Sequence, residues 1–164
     1  RLSVENERVA GGERVGDLIV VQSALRGVDV PPERVPSMVD EFPVLAVAAA
    51  CAQGQTRMRG LHELRVKESD RLTATAAMLA GNGVQVEVSG DDLIVHGKGA
   101  PPVGGGVVAT HMDHRLAMSA LVLGLVTDQP VGIDDARFID TSFPGFVALM
   151  NGAAGEGTPA LLAA

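Results

Sequence analysis

Charged residues stand directly before apolar, helix-forming segments at three places along the chain. They are Asp40, Lys67, Glu68, Arg71, Asp113, His114 and Arg115. A carboxylate at the start of a helix can cap the first free backbone N–H groups. A cation at the same place is disfavoured by the helix dipole unless an anion lies close enough to compensate for it.

Arg71 and Arg115 are the cations that conflict with the dipole at two such helix starts. A guanidinium is a planar fork that binds a carboxylate or a phosphate through two parallel hydrogen bonds. Lys67 stands four residues before Arg71 and would share a helical face with it. We interpret these cations as a converging anion site. The alternative is local pairing of the cations with Glu68 and Asp70.

The carboxylates of Asp40 and Glu68 lie among these cations in the sequence pattern. A carboxylate beside a bound anionic substrate can move protons on that substrate. The ordinary alternative for Asp40 is a helix cap, a role that contributes about 1 kcal/mol. The pattern therefore indicates general acid–base chemistry on an anion, with Asp40 and Glu68 as the acid or base.

Other kinds of catalytic site are poorly supported by the sequence. There is no "GxSxG" nucleophile elbow. His111 and His114 are three residues apart with Asp113 between them, but no distant His or Cys pair completes a metal-ligand set. The single Cys51 excludes an internal disulfide and a cysteine-rich metal site. We therefore expect neither a serine hydrolase nor a metal site.

Composition predicts one globular domain with an aliphatic core. The chain has 164 residues, of which 46% are hydrophobic and 20% charged, and it has four Phe but no Trp or Tyr. The formal net charge of -7 argues against general nucleic-acid binding, which needs a basic face. No apolar run is long enough for a membrane span, so we expect no membrane partner.

Strands and helices alternate in the predicted secondary structure. The predicted strands are 1–9, 17–23, 25–30, 55–60, 84–88, 92–97, 105–110 and 130–135, and the predicted helices are 40–54, 69–83, 113–128 and 141–155. The second helix should bury Leu72, Ala76 and Leu79. The small, apolar segment "EGTPALLAA" at 156–164 is expected to fray.

The alternation contains an internal repeat. Aligning Asp40 with Asp113 superposes two helix–strand–helix runs without a large gap. We expect one incomplete domain over 1–164, in which 1–23 is the tail of a truncated unit, 24–98 a second unit and 99–164 a third. The fold class predicted from this order is α/β (α+β), built from repeated βαβαββ units.

Four sequence blocks resemble the 5-enolpyruvylshikimate-3-phosphate (EPSP) synthase family. They are "PSMVDEFPVLAVAAA", "LRVKESDRL", "ATHMDHRLAMS" and "DTSFPGF", and they occur in the family's order and at compatible spacing. The chain is most similar to the C-terminal part of the class II bacterial enzymes. The resemblance therefore implies a missing N-terminal domain, which carries the family's other substrate-binding residues.

The resemblance implies a fold and a reaction. The enolpyruvyl transferase fold has two domains of three βαβαββ units each, with buried helices and sheets that face solvent. Shikimate 3-phosphate and phosphoenolpyruvate join through a tetrahedral intermediate, and phosphate then leaves. This chemistry needs no cofactor and belongs to aromatic amino acid biosynthesis in the cytoplasm.

The resemblance also implies roles for the charged residues. Asp40 matches the residue that contacts the shikimate hydroxyl and is the proposed base. Lys67 matches a lysine that binds shikimate 3-phosphate. Glu68 matches the proposed acid that protonates the methylene carbon of phosphoenolpyruvate. All three are thus expected to be catalytic residues.

Arg71 and Arg115 match the two arginines that hold phosphoenolpyruvate in the family, and His114 lies beside that site. Two positions depart from the family pattern. Glu63 stands where some members have an Asn that contacts shikimate, and Thr141 where some have a Lys near the phosphate. The phosphate charge should then be balanced by the two arginines and the missing domain.

Other functions stay open at this point. UDP-N-acetylglucosamine enolpyruvyl transferase shares the fold and the reaction, but it is not expected to contain "RVKESDR". A non-catalytic module that binds an anion or a partner, or half of a split enzyme, is the alternative of a different class. We expect the isolated chain to be inactive, and to self-associate through apolar surface and an open strand edge.

Overall fold

The computed structural model describes residues 1–153 and opens with an antiparallel hairpin. Strand β1 (Leu2–Ala10) pairs with β2 (Glu13–Val20). The turn between them is Gly11–Gly12, and both glycines have positive φ angles that suit a tight hairpin turn. The two predicted strands are confirmed, although β2 begins four residues before the predicted start at 17. Almost every residue of the hairpin is exposed.

A four-stranded sheet with two long helices follows the hairpin. The strands are β3 (Asp29–Val30), β4 (Gln53–Met58), β5 (Gln85–Ser89) and β6 (Asp92–Lys98), and their order in the sheet is β3-β4-β6-β5. Strand β3 is parallel to β4, whereas β6 is antiparallel to both of its neighbours. The helices are the short α1 (Val35–Met38), α2 (Phe42–Cys51) and α3 (Arg71–Gly81), with 3-10 turns at Pro32–Arg34 and Leu61–Val66.

The last described part of the chain repeats this order on a smaller scale. Strand β7 (Val107–Val108) is parallel to β8 (Gly132–Ile133), and α4 (His114–Gly124) lies between them in sequence. The single helix predicted over 141–155 is wrong, because the structure has α5 (Ile139–Ser142) and α6 (Phe146–Ala153) instead. Pro144 and Gly145, the latter at φ 82°, separate them. The predicted fraying of 156–164 lies outside the described residues.

The core is formed by α2, α3 and α4, which pack against one another and against the inner face of the sheet. Ala46, Leu72 and Leu116 are fully buried at the centre of these helices. Leu93 and Val95 of β6 cover them from the sheet side, while most of β5 faces solvent. The expected fold class, with buried helices and outward-facing sheets, is confirmed.

None of the helices in residues 1–153 combines the length and the apolar character that crossing a membrane requires.

Candidate functional site

Arg71 is the centre of the charged cluster. It is the first residue of α3, and its side chain is 1% exposed. Its Nε donates to Asp113 Oδ2 at 2.7 Å and its Nη1 to Asp40 Oδ1 at 2.7 Å. Its Nη2 donates to Glu68 Oε2 at 2.5 Å and to Asp113 Oδ1 at 3.3 Å. Three carboxylates from separate segments therefore compensate for the cation at the helix start.

Asp113 joins Arg71 to the start of α4. It is the N-cap of that helix and accepts from the backbone N–H groups of Arg115 at 3.0 Å and Leu116 at 3.4 Å. Its other carboxylate oxygen also accepts from the Ser69 hydroxyl at 3.0 Å. Burial disfavours the charged form, but the hydrogen bonds and the charge of Arg71 outweigh it and hold the pKa of Asp113 below its usual value.

Asp40 bridges the two arginines. Its Oδ1 accepts from Arg71, and its Oδ2 lies 3.2 Å from Arg115 Nη2. The prediction that Asp40 caps α2 is wrong: Glu41 occupies the N-cap position, and no side chain caps that helix. The carboxylate of Asp40 is instead directed at arginines that are 31 and 75 residues away in the sequence.

Arg115 and His114 occupy the first turn of α4. The Arg115 side chain is 35% exposed, and its Nη1 also lies 3.5 Å from the backbone oxygen of Asp40. His114 is half-buried beside it. Arg115 is therefore much more open to a ligand than Arg71 is, although both contact the same Asp40 carboxylate.

Lys67 and Glu68 lie in the extended turn before α3. The backbone of Lys67 is extended and its side chain is exposed, so the expected shared helical face of Lys67 and Arg71 is wrong. Within the described part of the chain, Lys67 forms no ion pair. Glu68 contacts Arg71 and keeps 49% of its side chain exposed. Asp70, the other expected local partner, instead caps α3 and pairs with Arg65 at 3.1 Å.

The structure thus brings most of the predicted site residues together. Asp40, Glu68, Arg71 and Arg115 are linked by direct contacts. Lys67 and His114 are adjacent in sequence to members of that cluster. Glu63 is half-buried in the 3-10 turn. Thr141 lies in α5, where its hydroxyl donates to the Phe138 carbonyl at 2.6 Å.

Asp113 and Ser69 are the site residues that sequence reasoning missed. The sequence pattern indicates Asp113 only as a helix cap and as a partner of two histidines in a weak metal pattern. The available signal was a second acidic residue at a helix start next to an arginine. Its contact with Arg71, 42 residues away, depends on the packing of α3 beside α4.

The cluster can bind an anion and move protons. Arg115 and Lys67 present cationic groups to solvent, and Asp40 and Glu68 present carboxylates beside them. Among residues 1–153, no group of three or more His, Cys, Asp or Glu side chains could hold a metal ion.

Sequence comparisons relate the chain to one enzyme family. The family model described as EPSP synthase (3-phosphoshikimate 1-carboxyvinyltransferase) matches residues 8–150. A 3-phosphoshikimate 1-carboxyvinyltransferase from Granulibacter bethesdensis is 71% identical over 151 residues, which cover 92% of this chain and 33% of that protein. One from Gluconobacter oxydans is 66% identical over 158 residues, covering 96% of this chain and 36% of that protein. The chain thus spans about a third of the length of these relatives.

Solved structures agree with the sequence comparisons. EPSP synthase from Acinetobacter baumannii superposes with a TM-score of 0.88 at 44% identity, over 93% of this chain and 36% of that chain. The enolpyruvyl transferase NikO from Streptomyces tendae superposes with a TM-score of 0.61 at 22% identity, over 90% of this chain and 31% of that chain. The second comparison shows a shared fold alone.

Proposed function

Because this chain belongs to the EPSP synthase family, we propose that it is one wall of the active site of a 3-phosphoshikimate 1-carboxyvinyltransferase. The whole enzyme joins phosphoenolpyruvate to shikimate 3-phosphate and releases phosphate. The observation that carries this proposal is the meeting of Asp40, Glu68, Arg71 and Arg115, which come from three separate segments.

The two arginines bind phosphoenolpyruvate in this proposal. Arg115 is open to solvent and is the first cation that the ligand meets. Arg71 is closed off by carboxylates, so an entering carboxylate or phosphate must displace one of them. Asp40 is the one that contacts both arginines, and it is therefore the group that the ligand replaces. His114 lies beside this pocket.

Once it is displaced from the arginines, Asp40 can act as the base of the reaction. Released from the arginines, the carboxylate of Asp40 takes the proton of the shikimate hydroxyl as that oxygen bonds to the central carbon of phosphoenolpyruvate. Glu68 gives a proton to the methylene carbon in the same addition. The Glu68 carboxylate then takes a proton back from that carbon as the bond between the central carbon and the phosphate oxygen breaks, which releases phosphate and forms the enolpyruvyl ether. Lys67, exposed beside Glu68, binds shikimate 3-phosphate.

The rest of the enzyme supplies the other wall. We propose that this chain is the C-terminal, class II-like part of the synthase, because its blocks resemble that part. The relatives are about three times its length, so the remaining two thirds of the cytoplasmic enzyme can cover the pocket. The hairpin β1–β2 supports this arrangement, since it exposes Leu2, Val4, Leu18 and Val20 on one face.

A phosphate-release assay with both substrates tests the proposal. The complete synthase polypeptide that carries this chain should turn over, and the isolated 164-residue chain should not, because one wall cannot enclose the substrates. Absence of turnover by the complete polypeptide would favour a non-catalytic anion-binding protein. Near-normal turnover by the isolated chain would contradict the division into two walls.

A further inference from the structure

Asp113 is the most completely buried carboxylate of the cluster. It is 0% exposed, and its two oxygens receive five donors from four residues. Two of these donors belong to the Arg71 guanidinium and two are backbone N–H groups of α4. An ordinary N-cap satisfies only the N–H groups of its own helix. The contacts of Asp113 with Arg71 and Ser69 are therefore not explained by helix capping.

The geometry points to Asp113 as a positioning residue for phosphoenolpyruvate binding, which rests on the proposed function above. One carboxylate fixes the Arg71 side chain on α3 and, at the same time, the first turn of α4 that carries Arg115. Arg71 and Arg115, which should bind the same phosphoenolpyruvate molecule, are thereby held at a fixed distance from each other. Asp113 itself does not contact the ligand, since no part of it is exposed.

The division of contacts on Arg71 supports this role. Asp40 and Glu68 are both partly exposed, so either can move aside for a ligand. Asp113 is enclosed and contacts Nε and Nη2, which leaves Nη1 to Asp40. When a ligand replaces Asp40 on Nη1, Asp113 still holds the plane of the guanidinium. Planar recognition of a carboxylate or phosphate needs such a fixed plane.

The backbone before Asp113 is strained in a way that fits the role. His111 has φ 53° and Met112 has φ 61°, a left-handed conformation that residues with a Cβ rarely adopt. Both side chains are exposed, so packing does not require this conformation. Thr110 anchors the segment on its other side, where its N–H and hydroxyl both donate to Asp134 Oδ1. The loop thus holds Asp113 at one place.

Asp70 is the matched control for Asp113. It is also the N-cap aspartate of a long helix, and it accepts from the N–H of Thr73 at 3.0 Å and from its hydroxyl at 2.8 Å. Its carboxylate pairs with Arg65, whereas the ion pairs of Arg71 among the described residues are with Asp40, Glu68 and Asp113. Asp70→Asn therefore removes the charge of a helix cap without touching either ligand arginine.

Steady-state kinetics of the complete synthase test the inference. Asp113→Asn should raise KM for phosphoenolpyruvate about tenfold or more, the range for a loosened charge-assisted contact. KM for shikimate 3-phosphate should change less than about threefold. Asp70→Asn should leave both constants unchanged while lowering stability. An unchanged phosphoenolpyruvate KM in active Asp113→Asn, or an equal rise for both substrates, would overturn the positioning role.

A second measurement does not depend on activity or on the rest of the enzyme. Hydrogen exchange of the Arg71 Nε–H, followed by NMR of the 164-residue chain, reports whether its guanidinium is held. Ser69→Ala removes one donor to Asp113 but keeps every charge, so it should fold and should speed this exchange. Asp70→Asn should not. An unchanged exchange rate of the Arg71 Nε–H in both Ser69→Ala and Asp113→Asn would overturn the positioning role. If the proposed function itself is wrong, the wild-type synthase will show no turnover, whatever the exchange rates are.

Discussion

Arg71 shows how the chain resolves a conflict that is visible in its sequence. A cation at the first position of a helix is disfavoured by the dipole, and the sequence alone suggests that a bound anion compensates for it. The structure supplies Asp40, Glu68 and Asp113 instead. In the proposed function a ligand anion takes the place of Asp40 on Arg71, so we expect ligand binding and the release of Asp40 to be coupled.

Glu68→Gln in the complete synthase should separate proton transfer from binding. The amide keeps a hydrogen-bond acceptor for Arg71 but cannot give up a proton to carbon. Turnover should fall by about a hundredfold or more, as for loss of a general acid. Deuterium from solvent should enter the methylene carbon more slowly, with both ligands still bound.

Glu87→Gln is the control for this prediction, because Glu87 is an exposed residue of β5 outside the cluster. It should leave turnover and deuterium incorporation unchanged. Normal incorporation by the Glu68→Gln variant would exclude Glu68 as the acid and leave it a role in holding Arg71.

The lowered pKa of Asp113 predicts how stability depends on pH. Burial raises the pKa of Asp113, but the hydrogen bonds and the charge of Arg71 lower it by a larger amount, so the net shift is downward. The folded state therefore binds a proton less readily than the unfolded state does. The contribution is complete above the ordinary Asp value of about 3.9 and is lost as pH falls through the lower folded value. Asp113→Asn should cost about 2–3 kcal/mol at pH 7, because its charged hydrogen bonds to Arg71 are weakened while Asp40 and Glu68 still pair with that cation.

Urea unfolding of the 164-residue chain at several pH values measures this contribution. The difference in free energy of unfolding between wild type and Asp113→Asn should narrow below about pH 4, because Asp113 takes up a proton in the unfolded chain before it does so in the folded chain. A gap that stays constant from pH 7 to pH 3 would show that the charge of Asp113 does not contribute to stability.

Helices and strands whose apolar residues recur with a regular spacing could be predicted from the sequence. Elements that form only through contact with segments far away in the sequence could not. Helix α3 has a cap at Asp70 and the expected buried face, so local rules were sufficient. Strands β7 and β8 are only two residues long. Each is defined by its hydrogen bonds to the other strand, which is 24 or more residues away in the sequence, and not by a pattern of its own. The place of Asp40 likewise required the packing of α3 and α4, which no local rule contains.

Strand β6 approaches the end of α2 so closely at Gly97 that a side chain has no room there. A Cβ on Gly97 of β6 would lie 2.1 Å from the Ala52 carbonyl oxygen at the end of α2, a contact that backbone atoms cannot relieve easily. Gly97→Ala should therefore destabilise the chain by about 1–3 kcal/mol, as overpacking does. Gly81→Ala, at the end of α3, meets nothing within 4 Å and should be neutral or stabilising by up to about 1 kcal/mol.

Thermal or urea unfolding of the two glycine variants provides the comparison. Equal changes in the free energy of unfolding for Gly97→Ala and Gly81→Ala would mean that the close approach of β6 to α2 does not limit the size of the residue at position 97.

The hairpin β1–β2 lies outside the core that the described helices and sheet form. Its strands pair with each other, and Leu2, Val4, Leu18 and Val20 share an exposed apolar face. In the complete synthase we expect further chain to cover this face. In the isolated chain the same face should drive self-association.

Light scattering of the isolated chain tests the role of this face. Leu18→Lys places a charge on the apolar face and should reduce self-association. Ser3→Lys adds the same charge to the opposite face of the hairpin, because Ser3 pairs with Ile19, and should have a smaller effect. Equal effects of the two variants would indicate that net charge, and not this face, controls association.

Calorimetry on the complete synthase shows whether Arg71 and Arg115 together form the phosphoenolpyruvate pocket. With shikimate 3-phosphate saturating, Arg115→Ala should weaken phosphoenolpyruvate binding by about 2–5 kcal/mol. Affinity for shikimate 3-phosphate should barely change. Arg137→Ala, which removes an exposed arginine paired with Asp135, should alter neither affinity. An equal loss of affinity for both ligands in Arg115→Ala, or an unchanged affinity for phosphoenolpyruvate, would show that Arg115 is not part of this pocket.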